Sequence, residues 1–409
     1  MSQKLLVEDE LPNSGAANAL GSLPSWPEFA ADERAAAITV LESAKVNYWT
    51  GADGRAFEQE FAEKVEVAHG IAVANGSVAL GLALRALKLP RGSEIIVTPR
   101  TFIASVSEII LAGFRPVFAD VDAESQNITL ETIEPLINDS TSALLLVHLA
   151  GWPCDMEQIG QLADQHNLRV IEDCAQAHGA RINGQSVGSW GDIAAFSFCQ
   201  DKIMTTGGEG GMIVTNSKEL WSQCWSSKDH GKNPAILETS SPGTVYKYVH
   251  DSVGTNLRMT EMQAAIGRVQ LRKLDGWVKQ RRINAAVLAK RFNAYGVLRV
   301  PQPMSDRVYH SFYKFYAFIR PECLRDGWSR DRIVSELIEL GVPCGSGICP
   351  EVYREAAFTG LLNGSTGRLP VAAELGETSL MFPVHPTMSA NNMHRIADFV
   401  ATVLVRASR

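Results

Sequence analysis

The chain has 409 residues, 45% of them hydrophobic and 20% charged, so two or three structural units with a sizeable buried core are expected. Its formal net charge of -7 argues against binding to nucleic acid or to an anionic membrane surface. The seven cysteines are odd in number and include no CxxC pair, which favours a reducing compartment, here the cytoplasm, over a disulfide framework or a zinc site.

Residues 1–30 are rich in Gly, Pro, Ser and Ala and are predicted to form an N-terminal arm. The N-terminus lacks the apolar region of a signal peptide, and we expect no membrane-spanning stretch. An amphipathic helix is predicted from Asp32. A second helix should carry Phe57, Phe61 and Val65 on one face.

Between positions 71 and 215, short apolar runs alternate with segments of helical length and spacing. This alternation is typical of a parallel sheet covered by helices on both faces. We therefore predict an α/β fold whose large domain, residues 31–275, has a mainly parallel seven-stranded sheet. The predicted strands are Ile71–Ala74, Glu94–Thr98, Pro116–Ala119, Ala143–Val147, Arg169–Ile171, Ala194–Phe198 and Met212–Val214.

A long helical pattern from Thr260 to Phe292 is predicted to lead into a smaller α+β domain, residues 276–409. This domain should contain a strand over Phe312–Ile319, a helix over Asp331–Leu340 and a terminal helix over Asn391–Val405.

The segment from Ile171 to Gly211 is the most informative about chemistry. Its first strand ends in carboxylates, and ligands of open α/β sheets bind at this edge, so Asp173 is placed to meet a cofactor. Lys202 follows and leads into a glycine-rich turn that lets a ligand approach closely. The turn has neither Walker nor GxGxxG spacing, so it does not predict nucleotide hydrolysis or dinucleotide binding.

Six short sequence blocks, taken in their order along the chain, indicate which protein family the sequence resembles. They are Asn75–Leu80, Thr101–Ala104, Pro116–Asp122, Val147–Gly151, then Glu172–Ala180 with Phe196–Phe198 and Lys202–Gly211, and finally Gly254–Met259. In this order they resemble the DegT/DnrJ/EryC1/StrS family of sugar aminotransferases, with continuous similarity from about position 30 to 290. The resemblance implies a fold-type-I enzyme that depends on pyridoxal 5'-phosphate.

The resemblance also implies roles around the cofactor ring. Lys202 would hold the cofactor covalently and would then move a proton between substrate and cofactor. Asp173 would pair with the pyridine nitrogen and keep it protonated. Gln176 would lie near the phenolic oxygen, and Phe102 would stack on the ring, although Phe102 could instead be a plain core residue.

Further matches concern the cofactor phosphate. Gly76 and Ser77 lie just before a helical pattern that starts at Val78, so backbone N–H groups at a helix N-terminus could bind it. Ser77 could also be only an N-cap. Ser197 matches a second phosphate contact, and Asn256 matches a residue lent by a neighbouring subunit, which implies a homodimer with shared active sites.

The histidines are too widely spread for a metal-ligand pattern, so we predict no metal site and structural hydrogen bonding for His148, His178 and His230. The chain departs from family relatives at Cys199–Asp201, before the lysine, and at Cys344–Glu351, where the substrate pocket is expected to be unusual.

Together these features predict an aminotransferase that moves an amino group from glutamate to a keto-sugar in surface polysaccharide or lipopolysaccharide biosynthesis. The sugar could be a nucleotide-linked keto-deoxy-hexose or a free acid such as an 8-keto-octulosonate. Arg258 is a candidate partner for the glutamate carboxylate. Two alternatives stay open, namely a pyridoxal-phosphate-binding regulator without turnover and an NAD-dependent sugar oxidoreductase.

Overall fold

The structure is a computed structural model that describes residues 20–239, 248–303, 306–362 and 367–409. Most of the predicted N-terminal arm, residues 1–19, lies outside these ranges. The strands are β1 (His69–Val73), β2 (Glu94–Val97), β3 (Arg115–Phe118), β4 (Thr141–Val147), β5 (Arg169–Asp173), β6 (Arg181–Ile182), β7 (Gln185–Ser186), β8 (Ile193–Ser197), β9 (Gly211–Thr215), β10 (Leu298–Arg299), β11 (Val308–Tyr309), β12 (Phe315–Ile319) and β13 (Ser379–Phe382).

The helices alternate with these strands in the first two thirds of the chain. They are α1 (Ala31–Ser43), α2 (Asp53–Val65), α3 (Gly76–Ala86), α4 (Ala104–Leu111), α5 (Leu130–Ile133), α6 (Met156–His166), α7 (Lys218–Lys228), α8 (Pro234–Thr239), α9 (Glu261–Phe292), α10 (Arg330–Glu339), α11 (Pro370–Thr378) and α12 (Ala390–Ala407). No helix among the described residues is both long and apolar enough to cross a membrane.

The main sheet has seven strands in the order β1-β9-β8-β5-β4-β2-β3. Strands β8, β5, β4, β2 and β3 are parallel, which confirms the predicted α/β fold with a mainly parallel sheet. Strand β9 runs antiparallel to both β8 and β1. The sequence could not predict the direction of β9, because a strand that is buried on both faces is a continuous apolar run whether it pairs in parallel or antiparallel.

Helices cover both faces of this sheet, and their apolar sides form its core. On one face α3, α4 and α7 pack against the strands. On the other face lie α2 and α9, with Phe57, Phe61 and Val65 buried side by side as predicted. Helix α6 packs against β4, and its ends are set by the Asp155 side chain, which caps its first turn, and by Asn167, which ends it in a left-handed conformation.

A second, three-stranded antiparallel sheet has the order β10-β12-β13. Helices α10 and α12 pack near it over a separate core that contains Phe292, Phe315 and Phe382. The predicted domain boundary after residue 275 falls inside α9, whose last residue, Phe292, belongs to this second core. Leu20 is also buried there, so the end of the predicted arm packs against the C-terminal part of the chain.

Candidate active site

A cavity of about 660 Å³ lies where the parallel strands end. Val147 ends β4, Asp173 ends β5 and Ser197 ends β8, and because these strands are neighbours, their last residues meet at one edge of the sheet. Seven of the eight residues that the family resemblance assigned to the cofactor line this cavity. They are Gly76, Ser77, Phe102, Asp173, Gln176, Ser197 and Lys202.

Asp173 is the buried carboxylate of the cavity, with 4% of its surface exposed. Its Oδ2 accepts a hydrogen bond from the Ser105 hydroxyl at 2.8 Å, and its Oδ1 accepts one from the Ala175 N–H at 3.1 Å. Burial raises the pKa of Asp173, and these two bonds and the nearby Lys202 charge offset part of the rise. When Asp173 is ionised it can only accept hydrogen bonds, so the single O–H of Ser105 must donate to it. The Thr101 hydroxyl, 2.9 Å away, is then the donor to Ser105.

The first turn of α3 also lines the cavity. Helix α3 begins at Gly76, two residues earlier than predicted, because the Asn75 side chain accepts the Val78 N–H and acts as the N-cap. The interpretation of Ser77 as the N-cap is therefore wrong. A Cβ on Gly76 would lie 2.6 Å from the Ser197 Cβ, so only glycine lets the helix start approach the end of β8 this closely.

Gln176 and Phe102 present side chains to the cavity in different ways. The Gln176 Oε1 accepts the Ala150 N–H at 2.9 Å, which leaves the NH2 end of the amide as the group that can donate to a ligand. Phe102 is 60% exposed although it lines the cavity, so the alternative that it is a plain core residue is wrong.

Lys202 is held through its backbone rather than through its amine. Its carbonyl accepts a hydrogen bond from the Trp26 indole at 2.8 Å, and its N–H donates to the Cys199 carbonyl at 3.1 Å. Its Nζ lies 4.9 Å from the ring centre of Tyr313, whose hydroxyl donates to the Asp201 carboxylate. Lys202 thus lines the cavity, and no carboxylate among the described residues is bonded to its amine.

Comparison with known proteins then decides the family. The sequence pattern of the DegT/DnrJ/EryC1/StrS aminotransferase family matches residues 27–401. The chain belongs to this family.

Three relatives illustrate the similarity. The chain is 36% identical over 344 residues to GDP-perosamine synthase of Escherichia coli O157:H7, covering 84% of this chain and 88% of that protein. It is 35% identical over 345 residues to the Pleiotropic regulatory protein of Geobacillus stearothermophilus, covering 84% of this chain and 87% of that protein. The X-ray structure of an aminotransferase from Psychrobacter cryohalolentis matches with a TM-score of 0.91 and 49% identity, over 94% of this chain and 99% of that one. This protein is therefore an aminotransferase of the DegT/DnrJ/EryC1/StrS family.

In this aminotransferase the segment Cys344–Glu351, where we expected a departure from family relatives, contributes directly to the cavity through Gly347 and Ile348. The Tyr316 hydroxyl accepts the Ile348 N–H at 3.0 Å. Gly347 has a φ of +92°, and a Cβ there would lie 2.5 Å from the Tyr316 ring. The turn therefore requires glycine, and the second sheet supplies one wall of the site.

Sequence reasoning missed the cavity residues that come from distant elements. Ser105 lies on α4, Tyr313 and Lys314 lie just before β12, and Tyr316 is the second residue of β12. The sequence placed the last three in the predicted strand over Phe312–Ile319, but it did not predict that this strand lies beside the cavity.

The structure brings His148, Glu172 and Cys174 together, with candidate metal-ligand atoms within 4.8 Å of one another. The sequence spacing had not indicated this cluster. Its imidazole and carboxylate atoms are engaged in hydrogen bonds, because the His148 Nδ1 accepts the Cys154 N–H and its Nε2 donates to Glu172. The Glu172 oxygens also accept the backbone N–H groups of Gly188, Trp190 and Gly191. The cluster therefore orders the loop before β8.

His178 does not follow the expectation of structural hydrogen bonding. Neither of its ring nitrogens has a hydrogen-bond partner among the described residues. The ring packs beside the rings of Phe196 and Phe198. Burial, together with the charges of Lys202 and Arg281, lowers the pKa of His178 to about 3, so the ring is neutral.

Arg258 and Asn256 lie outside the cavity of their own chain. The Arg258 guanidinium pairs with the Asp229 carboxylate at 2.8 Å. Asn256 is exposed beside it. Arg258 is thus not available to a glutamate carboxylate in this cavity, and the role of Asn256 in a neighbouring subunit stays a prediction.

Proposed function

We propose that the protein transfers an amino group from glutamate to a keto-sugar, using pyridoxal 5'-phosphate held on Lys202. The observation that carries this proposal is that Lys202 and Asp173, about thirty residues apart in sequence, line one cavity together with a helix N-terminus. An amine, a buried acid and an anion-binding helix end are the three groups that this cofactor requires.

The cavity residues fit the cofactor. The approach of Gly76 to Ser197 leaves no room for a Cβ, and it forms a narrow cradle of backbone N–H groups and hydroxyls at the start of α3. Phosphate groups bind at such helix ends because free N–H groups and the helix dipole both favour negative charge. In our proposal Gly76, Ser77 and Ser197 hold the phosphate, and Asn256 of a second copy completes this site in a homodimer.

The remaining residues of the site hold the cofactor ring and position or move its protons. When bound, pyridoxal phosphate supplies an aldehyde that exchanges with amines and a ring that accepts electrons. Asp173 keeps a proton on the ring nitrogen, because its buried carboxylate is costly to leave without a positive partner. Lys202 moves a proton between the substrate carbon and the cofactor once its amine is free. Gln176 donates to the phenolic oxygen, and Phe102 restrains the ring.

The proposed acceptor is a keto-sugar because relatives such as GDP-perosamine synthase carry sugar products in their names. A nucleotide-linked keto-deoxy-hexose is the first candidate. A free sugar acid such as an 8-keto-octulosonate is the second, since Gly347 and Ile348 line the cavity from the segment that the sequence predicts to differ from family relatives. The reaction would take place in the cytoplasm. Its product would be incorporated into surface polysaccharide or lipopolysaccharide.

The test uses the purified protein loaded with its cofactor. Addition of glutamate should remove the absorption band of the cofactor joined to Lys202, and the correct keto-sugar from a panel of nucleotide-linked and free sugars should restore it. A Lys202→Ala variant should show neither change.

A second candidate is a regulator that binds the cofactor without turnover, favoured by the relative named a Pleiotropic regulatory protein. A band that glutamate does not alter would support this candidate and contradict the proposal.

A further inference from the structure

Lys314 is the second lysine of the cavity. It lies one residue before β12 and lines the cavity with Lys202. These two are the positively charged side chains of the cavity wall in the part of the chain that the structure describes. If Lys202 holds the cofactor, as proposed above, Lys314 is the cation that remains for a substrate.

The Lys314 amine is only weakly compensated. Its nearest carboxylate is Asp201, with Nζ and Oδ2 3.8 Å apart, a distance that is too long for a hydrogen bond. Asp201 is at the same time the acceptor of the Tyr313 hydroxyl. By contrast, Arg258 and Asp229 outside the cavity lie at 2.8 Å. The Lys314 side chain is 22% exposed, so its charge is partly shielded from water and is strongly available to a bound anion.

The exposure of Asp201 complements this arrangement. Its side chain is 54% exposed, so its carboxylate can regain water when Lys314 turns to another anion. The charges of Lys202 and Lys314 and the Tyr313 hydroxyl together outweigh burial and lower the pKa of Asp201, which keeps it ionised. A resting counter-ion of this kind prevents an unpaired cation in the cavity when no acidic substrate is present.

We propose that Lys314 binds a carboxylate of the amino donor and that Asp201 is its counter-ion when the donor has left. The inference rests on the proposed function, which requires one cavity to accept an anionic donor and a sugar in turn. It replaces the expectation that Arg258 has this role. It also explains why a cation at the cavity wall is held loosely rather than in a tight ion pair.

The test measures binding rather than turnover, with glutarate as the probe because it has the length and both carboxylates of glutamate but no amine. Isothermal titration calorimetry is carried out on the cofactor-loaded protein. Lys314→Met should weaken glutarate binding by about tenfold to a hundredfold, the loss expected for one charge-assisted hydrogen bond. Lys314→Arg should stay within a few fold of the wild type. Lys279→Met, at an exposed position of α9, should have no effect.

Asp201→Asn gives the opposite prediction. The change removes the competing carboxylate while the amide oxygen can still accept the Tyr313 hydroxyl, so glutarate should bind several-fold more tightly. A lysine with a merely structural role would not produce opposite effects from the two variants. Wild-type affinity in Lys314→Met, or weaker binding in Asp201→Asn, would overturn the inference.

Failure of this inference can be told apart from failure of the proposed function. The proposed function fails if the wild-type protein shows no lysine-bound cofactor or no response to glutamate. The inference fails if the wild type responds to glutamate but Lys314→Met binds glutarate normally. It also fails if Lys314→Met slows the glutamate step and the keto-sugar step to the same extent, because a donor-binding residue should affect the first step more.

Discussion

Replacing Ser105 with alanine should make Asp173 harder to ionise. The Ser105 hydroxyl donates to Asp173 at 2.8 Å in a buried site. A hydrogen bond to a charged group contributes about 1.5–3 kcal/mol to the ionised form, which corresponds to about 1–2 pKa units. Burial already raises the pKa of Asp173, so Ser105→Ala should raise it further by about this amount.

The consequence should appear in the reaction with glutamate. As pH falls through the raised pKa, Asp173 takes up a proton and no longer supports a charged ring nitrogen. The acid limb of the pH profile should therefore move to higher pH by about 1–2 units, and the rate on that limb should fall by about tenfold to a hundredfold. Stopped-flow mixing of the cofactor-loaded protein with glutamate across a pH series measures both effects.

The matched control is Ser107→Ala, the same change two positions along α4. The Ser107 hydroxyl makes no hydrogen bond among the described residues, so the acid limb should not move. If the acid limb of Ser105→Ala coincides with that of Ser107→Ala, the hydrogen bond does not set the ionisation of Asp173 and the reasoning is refuted.

Three further predictions concern the cavity wall and the backbone packed beside it. Gly211→Ala would place a Cβ 2.4 Å from the Asn75 carbonyl oxygen, so thermal unfolding should show a loss of about 1–3 kcal/mol. Gly160→Ala on α6 should be neutral or stabilising, because beyond the local backbone of its own helix no described atom lies within 4 Å of the new Cβ. Phe102→Ala should weaken cofactor binding by about threefold to tenfold. Because Phe102 is 60% exposed, urea unfolding of the cofactor-free protein should change by less than about 0.5 kcal/mol, and a larger change would mean that Phe102 supports the fold instead. Burial lowers the pKa of Lys314, so glutarate binding should weaken as pH rises through that lowered value. Lys314→Arg should remove this alkaline limb in calorimetry because a guanidinium stays charged, and an unchanged limb would contradict the assignment.

The sequence was sufficient for the residues that lie at strand ends. Asp173 and Ser197 follow buried apolar runs, and the carboxyl ends of parallel strands meet at one edge of the sheet, so their proximity follows from the alternation of strands and helices. Lys202 and Gly76 were placed near them by the family blocks. The Asn75 cap was missed because Asn, Gly and Ser are all acceptable at a helix start and only the geometry selects one.

The sequence was not sufficient for contacts between distant elements. Ser105 reaches Asp173 across 68 positions, and Tyr313 reaches Asp201 across 112. No local sequence pattern predicts either hydrogen bond, since a serine on a helix or a tyrosine before a strand is commonly a surface residue. The antiparallel direction of β9 could not be predicted either. Because β9 is buried on both faces, it lacks the alternation of apolar and polar residues that is typical of an antiparallel strand with one solvated face.

The central claim is that the Lys202 amine holds the cofactor. Borohydride reduction of the loaded protein, followed by digestion and mass spectrometry, fixes the cofactor to the lysine that carries it. We predict the added mass on the peptide that contains Lys202 and none in a Lys202→Ala variant. The same mass on Lys314, the other lysine of the cavity, or on no lysine at all, would contradict the account.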